Sequence, residues 1–280
     1  MDGGFVSGAR MPAAQGWLWL SDALRIVKNS SRIYVVLFLV AILNWQGIIR
    51  IPQIGYLLSL LLNPLIMGVL MLLSRMVVDQ NRMDVWNMKL RPHIIALLST
   101  GVVYCLAIGA AAFIAQLITG RSIVSIVLLG RARDVRTLMT PGIDVPFLIG
   151  MIVLLIGSLV VFAASWFTPP LIVFKQLSFK QAMVESFKAV MRNYWAFNLY
   201  GIVLSGFIVI ALIAMFLVPA LIFIPLGLKT FIAPSAAIAA FLFGAAVGPV
   251  ITLSVYTSYV RIFEMQPLTK TGRLEEQRKP

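Results

Sequence analysis

Across 280 residues there is one histidine, His93, and one cysteine, Cys105. Acid–base catalysis or a metal centre needs several such groups at matched spacing. The carboxylates nearest to His93 in sequence, Asp79 and Asp84, lie on a polar stretch without ligand spacing. His93 follows Pro92 at the entrance of an apolar run and reads as an interfacial side chain with no catalytic duty. Met67, Met71 and Met76 cluster after Pro64. Thioethers hold cuprous ion, but methionine also fills apolar gaps, and copper routes generally add exposed Met, His or Cys groups that this chain lacks. Packing is therefore the better reading. No phosphate-cradling glycine loop, nucleophile elbow or carboxylate pair occurs, so the sequence points away from an enzyme. It assigns no catalytic, metal or cofactor-binding residue.

What remains is proline and small residues inside apolar runs. LLNPLIMG (61–68) and AVGPVITL (246–253) each place a proline in an otherwise helical stretch. Broken helices at mid-membrane hold solutes in transporters, which makes Asn63, Pro64, Gly248 and Pro249 a candidate substrate or kink site. Such sites usually add an intramembrane charge, and here only Asn63, Thr252, Ser254 and Ser258 stand nearby. A second pattern competes with the first. Ala236, Ala240, Gly244 and Gly248 recur every fourth residue, with a shorter counterpart in Gly101, Cys105 and Gly109. Small residues at this spacing let helices pack closely in lipid, and the packing seam is the preferred reading.

The elements that must carry these residues follow from composition. The chain is 60% hydrophobic and 12% charged, outside the range of an ordinary soluble domain. Stretches free of ionisable side chains cover 33–49, 51–74, 94–120, 145–174, 193–228 and 230–260. A helix needs about 20 apolar residues to cross a bilayer, so six spans are expected, with Pro219 and Pro225 ending the fifth early. The fold expected is an all-α, polytopic helical bundle: a tail over 1–15, one membrane domain over 16–264 and a basic tail over 265–280.

Lys and Arg divide 17 to 6 between the two sides of this arrangement, which predicts cytoplasmic termini. The net charge of +13 is spread over the flanks of every span. Topology and anionic headgroups account for it without nucleic acid. A single cysteine excludes a disulfide within the chain, and no removable signal peptide is expected in the first 32 residues.

Two segments read as amphipathic interface helices. Over about 16–31 the apolar stripe is Trp17, Leu20, Leu24 and Val27. Over about 178–194 it is Phe179, Met183, Phe187 and Val190, opened by a capping box of Ser178 and Gln181. Each precedes a hairpin whose second helix contains a proline, a pattern that fits a weak internal repeat. The connection 121–146 is the sizeable element on the outer side and a candidate partner surface.

Trp166, Phe167, Pro169, Leu171, Ala182, Ser186, Phe187, Arg192, Asn193, Tyr200 and Gly201, with GW at 16–17, IPQIG at 51–55, Pro64, Gly68, Pro249 and SYVRIF at 258–263, carry a resemblance. Together they resemble a family of uncharacterised proteobacterial inner-membrane proteins. The resemblance covers most of the chain except 121–146, which is longer than the family pattern. It implies a bacterial inner-membrane location and no particular chemistry. The sequence thus predicts a scaffold, assembly factor or accessory subunit, in contact with lipid and with a membrane-protein partner or a second copy. The alternative is a transporter of small solutes or lipid using the proline-broken helices.

Overall fold

The computed structural model describes residues 8–43, 48, 51, 54–78, 90–130 and 142–265. Among them the chain is all helical, with no strand. Where the sequence reads as one membrane domain, contacts group the residues into two compact units. One comprises 1–8 and 42–192, the other 9–41 and 193–280.

The first unit contains α3 (Gly55–Val78), α4 (Ile94–Thr119), α5 (Ile123–Leu129), α6 (Val145–Ser165), α7 (Thr168–Lys175) and α8 (Phe179–Arg192). Local chemistry sets the ends of these helices. Gly120 and Gly130 stop α4 and α5 with positive φ of 66° and 61°, a conformation that costs glycine nothing. The Asp144 carboxylate caps α6 by accepting from the Phe147 N–H at 2.8 Å. Pro169 and Pro170 fall in the first turn of α7, where their missing N–H groups are no loss. The expected Ser178–Gln181 box is present: the Ser178 N–H donates to Gln181 Oε1 at 3.3 Å and the Gln181 N–H to the Ser178 hydroxyl at 3.5 Å.

Close packing in this unit depends on small residues. A Cβ added to Gly101 would lie 2.0 Å from the Leu61 carbonyl oxygen, so α3 and α4 touch backbone to backbone there. Between α4 and α6 the small residues are Ala111 and Ala115 on one side, Gly157 and Gly150 on the other. A Cβ on Gly157 would sit 2.6 Å from the Ala111 methyl, and one on Gly150 3.1 Å from the Ala115 carbonyl. Ala112, Ala115, Ile123 and Phe147 form the buried cluster where α5 folds back.

The second unit contains α1 (Gln15–Asn29), α2 (Ser31–Ile42), α9 (Tyr194–Phe223) and α10 (Ile232–Tyr259), the last running into a π-helical turn at Val260–Glu264. α1 packs on both α9 and α10. Gly16 permits this, because a Cβ there would stand 2.1 Å from the Ala196 carbonyl oxygen.

Among the described residues five helical stretches are long and apolar enough to cross a bilayer: Gly55–Met76, Arg91–Thr119, Val145–Lys175, Tyr194–Phe223 and Ala233–Glu264. Of the first expected span, 33–49, the structure describes α2, which is followed to Ile42. Most of residues 44–50 lies outside the described part. Pro219 does not end the fifth expected span. α9 continues through it to Phe223.

The expected stripes on α1 and α8 are divided: Leu20 and Val190 are buried, Trp17, Leu24 and Phe187 are exposed, and the inward faces also include Gly16, Trp19, Asp22, Ala23 and Ile26 on α1 and Ala182, Glu185, Ser186 and Ala189 on α8.

Candidate functional site

The densest polar arrangement lies in the second unit, where the last two turns of α10 are buried on every side. Arg261, in the π-helical turn, donates from Nη2 and Nε to Asp22 Oδ2 at 2.6 and 2.9 Å, and from Nη1 to Gln15 Oε1 at 3.0 Å. Asp22 is only 2% exposed. One turn earlier the Thr257 hydroxyl donates to the Trp19 carbonyl at 3.0 Å. Ser254 and Tyr200 share a hydrogen bond of 2.7 Å between α10 and α9. Trp19 leans against the rings of Phe197 and Tyr200. The acid, the guanidinium and the hydroxyls thus fix α1 across two long helices.

A second arrangement sits in the first unit, where α6 breaks into α7. Ser186 of α8 is fully buried and bridges the break: its hydroxyl accepts from the Phe167 N–H and donates to the Ala163 carbonyl, both at 2.9 Å. The Tyr104 hydroxyl donates to Ser165 beside it. Ser186→Ala removes both bonds and is expected to lower stability by about 1–3 kcal/mol, the cost of leaving buried backbone groups without their partners. Thermal unfolding in detergent measures it, and an unchanged transition would contradict the bridging role.

At the other end of this unit Arg121 is buried. Its guanidinium stacks 4.6 Å from the Phe147 ring centroid, donates to the Gly142 carbonyl at 3.0 Å and pairs with Asp144 at 2.8 Å. The Asp144 carboxyl is held below the ordinary aspartate range, first by the Phe147 N–H and then by Arg121. A carboxyl lowered on folding stabilises the fold at neutral pH, and that contribution is lost as pH falls through its folded value. The stability lead of the unaltered protein over Asp144→Ala should therefore shrink below about pH 4. A lead independent of pH, followed by thermal unfolding, would contradict this.

The residues singled out for chemistry are divided between the two units. Asn63 and Pro64 belong to the first unit, Gly248 and Pro249 to the second. Pro64 and Pro249 are buried, Asn63 is exposed and Gly248 half-buried. In the seam on α10, Ala236 is buried, but a Cβ on Gly244 would meet nothing within 4 Å. The side chain of Ala240 lies outside what is described. On α4, Gly101 is the tight contact, and a Cβ on Gly109 would come 3.3 Å from Leu128 of α5. Met71 is fully buried, while His93 and Cys105 are half-buried. Among the described residues no group of three or more His, Cys, Asp or Glu side chains could hold a metal ion. Arg131, Arg133 and Arg136, Asp79 and Asp84 lie outside them.

Sequence reasoning gave no role to Asp22, Arg261, Thr257 or Ser186. Ser186 and Arg261 stand among the residues that carry the resemblance, and Asp22 and Arg261 each border an apolar run, but residues 239 apart advertise no partnership.

Among the described residues the chain is all helical and five stretches are long and apolar enough to cross a bilayer, the pattern of a multi-pass membrane protein. No family model, curated protein or solved structure matches it.

Proposed function

We propose that this chain is a six-span, non-enzymatic scaffold, assembly factor or accessory subunit of a bacterial cytoplasmic membrane, with residues 33–49 as the first crossing and both termini in the cytoplasm. The observation that carries the reading is α9. None of the most apolar window of this 30-residue helix is buried within the chain, so a long helical surface is offered to lipid, to a membrane-protein partner or to a second copy. The polar groups described above support the same reading, because they join helix to helix.

Orientation rests on charge. At one end of the first unit lie Arg75, Arg91, Lys175, Lys180, Lys188 and Arg192, whereas the described residues at the opposite end carry Arg121 already paired with Asp144. The first end is assigned to the cytoplasm, where the basic side chains meet anionic headgroups. The outward Trp17 and Leu24 of α1, and Val184, Phe187 and Met191 of α8, support placing both helices at the membrane surface. The resemblance to proteobacterial inner-membrane proteins supports the compartment, and 121–146 is the partner surface proposed on the far side.

Purified protein in liposomes is expected to pass small solutes no faster than protein-free vesicles. Flux well above that control would overturn the scaffold reading. It would favour the transporter, whose support is that Pro64 and Pro249 are buried within long helices. In that case Pro249→Ala combined with Asn63→Leu should abolish flux without altering membrane level.

A further inference from the structure

The segment before α1 is held in an unusual way. Asn193 is 1% exposed and stands at the N-cap of α9, yet its side chain makes no capping bond. Its amide instead reads the backbone of an extended neighbour: Nδ2 donates to the Ala9 carbonyl at 3.0 Å, and Oδ1 accepts from the Met11 N–H at 2.6 Å. The Ala9 N–H donates in turn to the Ile262 carbonyl at 2.8 Å. Ile262 lies in the π-helical turn that closes α10, where carbonyls have run out of helical partners. Three hydrogen bonds thus tie residues 9–11 to both long helices, and each goes to backbone of the tied segment, so its side chains are not what is recognised.

The tied segment turns directly into α1, through bonds from the Gln15 and Gly16 N–H groups to the Pro12 and Ala13 carbonyls. The seat of α1 carries two opposing costs. The Trp19 indole N–H is fully buried and has no hydrogen-bond partner among the described residues, and Asp22 is removed from water, which an ion pair offsets only in part. An apolar helix would sit there with less penalty. Tethering its first turn raises the effective concentration of the helix at its seat and makes up the difference.

We propose that residues 9–12 are a strap that latches α1 onto α9 and α10, so that releasing the strap unseats the helix. This latch is independent of whether the protein is a scaffold or a transporter. It gives the chain two conformations that differ in whether Trp19 and Asp22 are covered.

The test is amide hydrogen exchange on the full-length protein. Ala9→Pro deletes the donor to Ile262 without touching a buried side chain, Met11→Pro deletes the donor to Asn193, and Asn193→Ala removes both amide contacts. Each is expected to speed exchange across residues 16–26 by about tenfold or more, the equilibrium effect of losing one or two ordinary hydrogen bonds. Residues 250–259 should keep their protection, and Arg10→Ala should change nothing. Fast exchange at 9–11 with α1 as protected as in the unaltered protein would overturn the latch. Equal loss of protection throughout α1, α9 and α10 would also overturn it, since that is general destabilisation. If Asn193→Ala does not accumulate, the two proline variants carry the test alone.

Discussion

Gly101→Ala is expected to destabilise the first unit by about 3 kcal/mol or more, at the upper end of what overpacking costs, while Gly244→Ala leaves stability unchanged. The difference is geometric. A methyl on Gly101 would fall 2.0 Å from a backbone oxygen of α3, which cannot rotate away as a side chain can, whereas one on Gly244 meets open space. α3 and α4 would have to separate over their whole crossing to admit it. Unfolding of both variants in one detergent provides the measurement. A tolerated Gly101→Ala would mean that α3 and α4 are not in backbone contact, and a damaging Gly244→Ala would place another surface against α10.

The second large effect is expected at the clasp of the second unit. Asp22→Leu leaves the Arg261 guanidinium without its carboxylate, and Arg261→Met leaves Asp22 buried without its main cation. Breaking a buried pair from one side costs about 3–5 kcal/mol. The double substitution should recover much of that loss, because it removes both desolvated charges together. Arg25, 3.5 Å from Asp22, lies on α1 itself and cannot take over the link to α10. A double-mutant cycle distinguishes this from an incidental contact. Additive losses, with no recovery in the double variant, would contradict it.

Much of the helical framework could be read from the residues, because the bilayer imposes it. Charge-free intervals long enough to cross hydrocarbon marked α3, α4, α6, α9 and α10, and the box at Ser178 and Gln181 announced α8. Contacts were another matter. Periodicity located stripes on α1 and α8, of which Leu20 and Val190 are buried and Trp17, Leu24 and Phe187 exposed, but not what seats the two helices: a Cβ on Gly16 would stand 2.1 Å from the Ala196 carbonyl, and the Ser186 hydroxyl bonds backbone on either side of the α6–α7 break.

The small residues tell the same story. Gly244 satisfied the four-residue spacing, yet a Cβ there would meet nothing within 4 Å among the described residues. Gly150 and Gly157 supply a contact with Ala111 and Ala115 that only the crossing of α4 with α6 makes visible. A spacing pattern describes one face of one helix, and the partner that gives it meaning comes from elsewhere in the chain. The pairing of Asp22 with Arg261, like the use of Asn193 to hold residues 9–11, depends on such distant crossings. Pro219 was misjudged for a related reason. A proline costs an isolated helix about 3 kcal/mol, but within an apolar run in lipid, unwinding would expose more backbone than the lost bond does.

The most direct test of the scaffold reading is native mass spectrometry of the protein taken from its own membranes after mild crosslinking. A stoichiometric protein partner is expected, with crosslinks mapping to α9, to 121–146 or to the outward faces of α1 and α8. A lone monomer or homodimer retaining a defined small molecule or lipid would contradict it and return attention to Pro64 and Pro249.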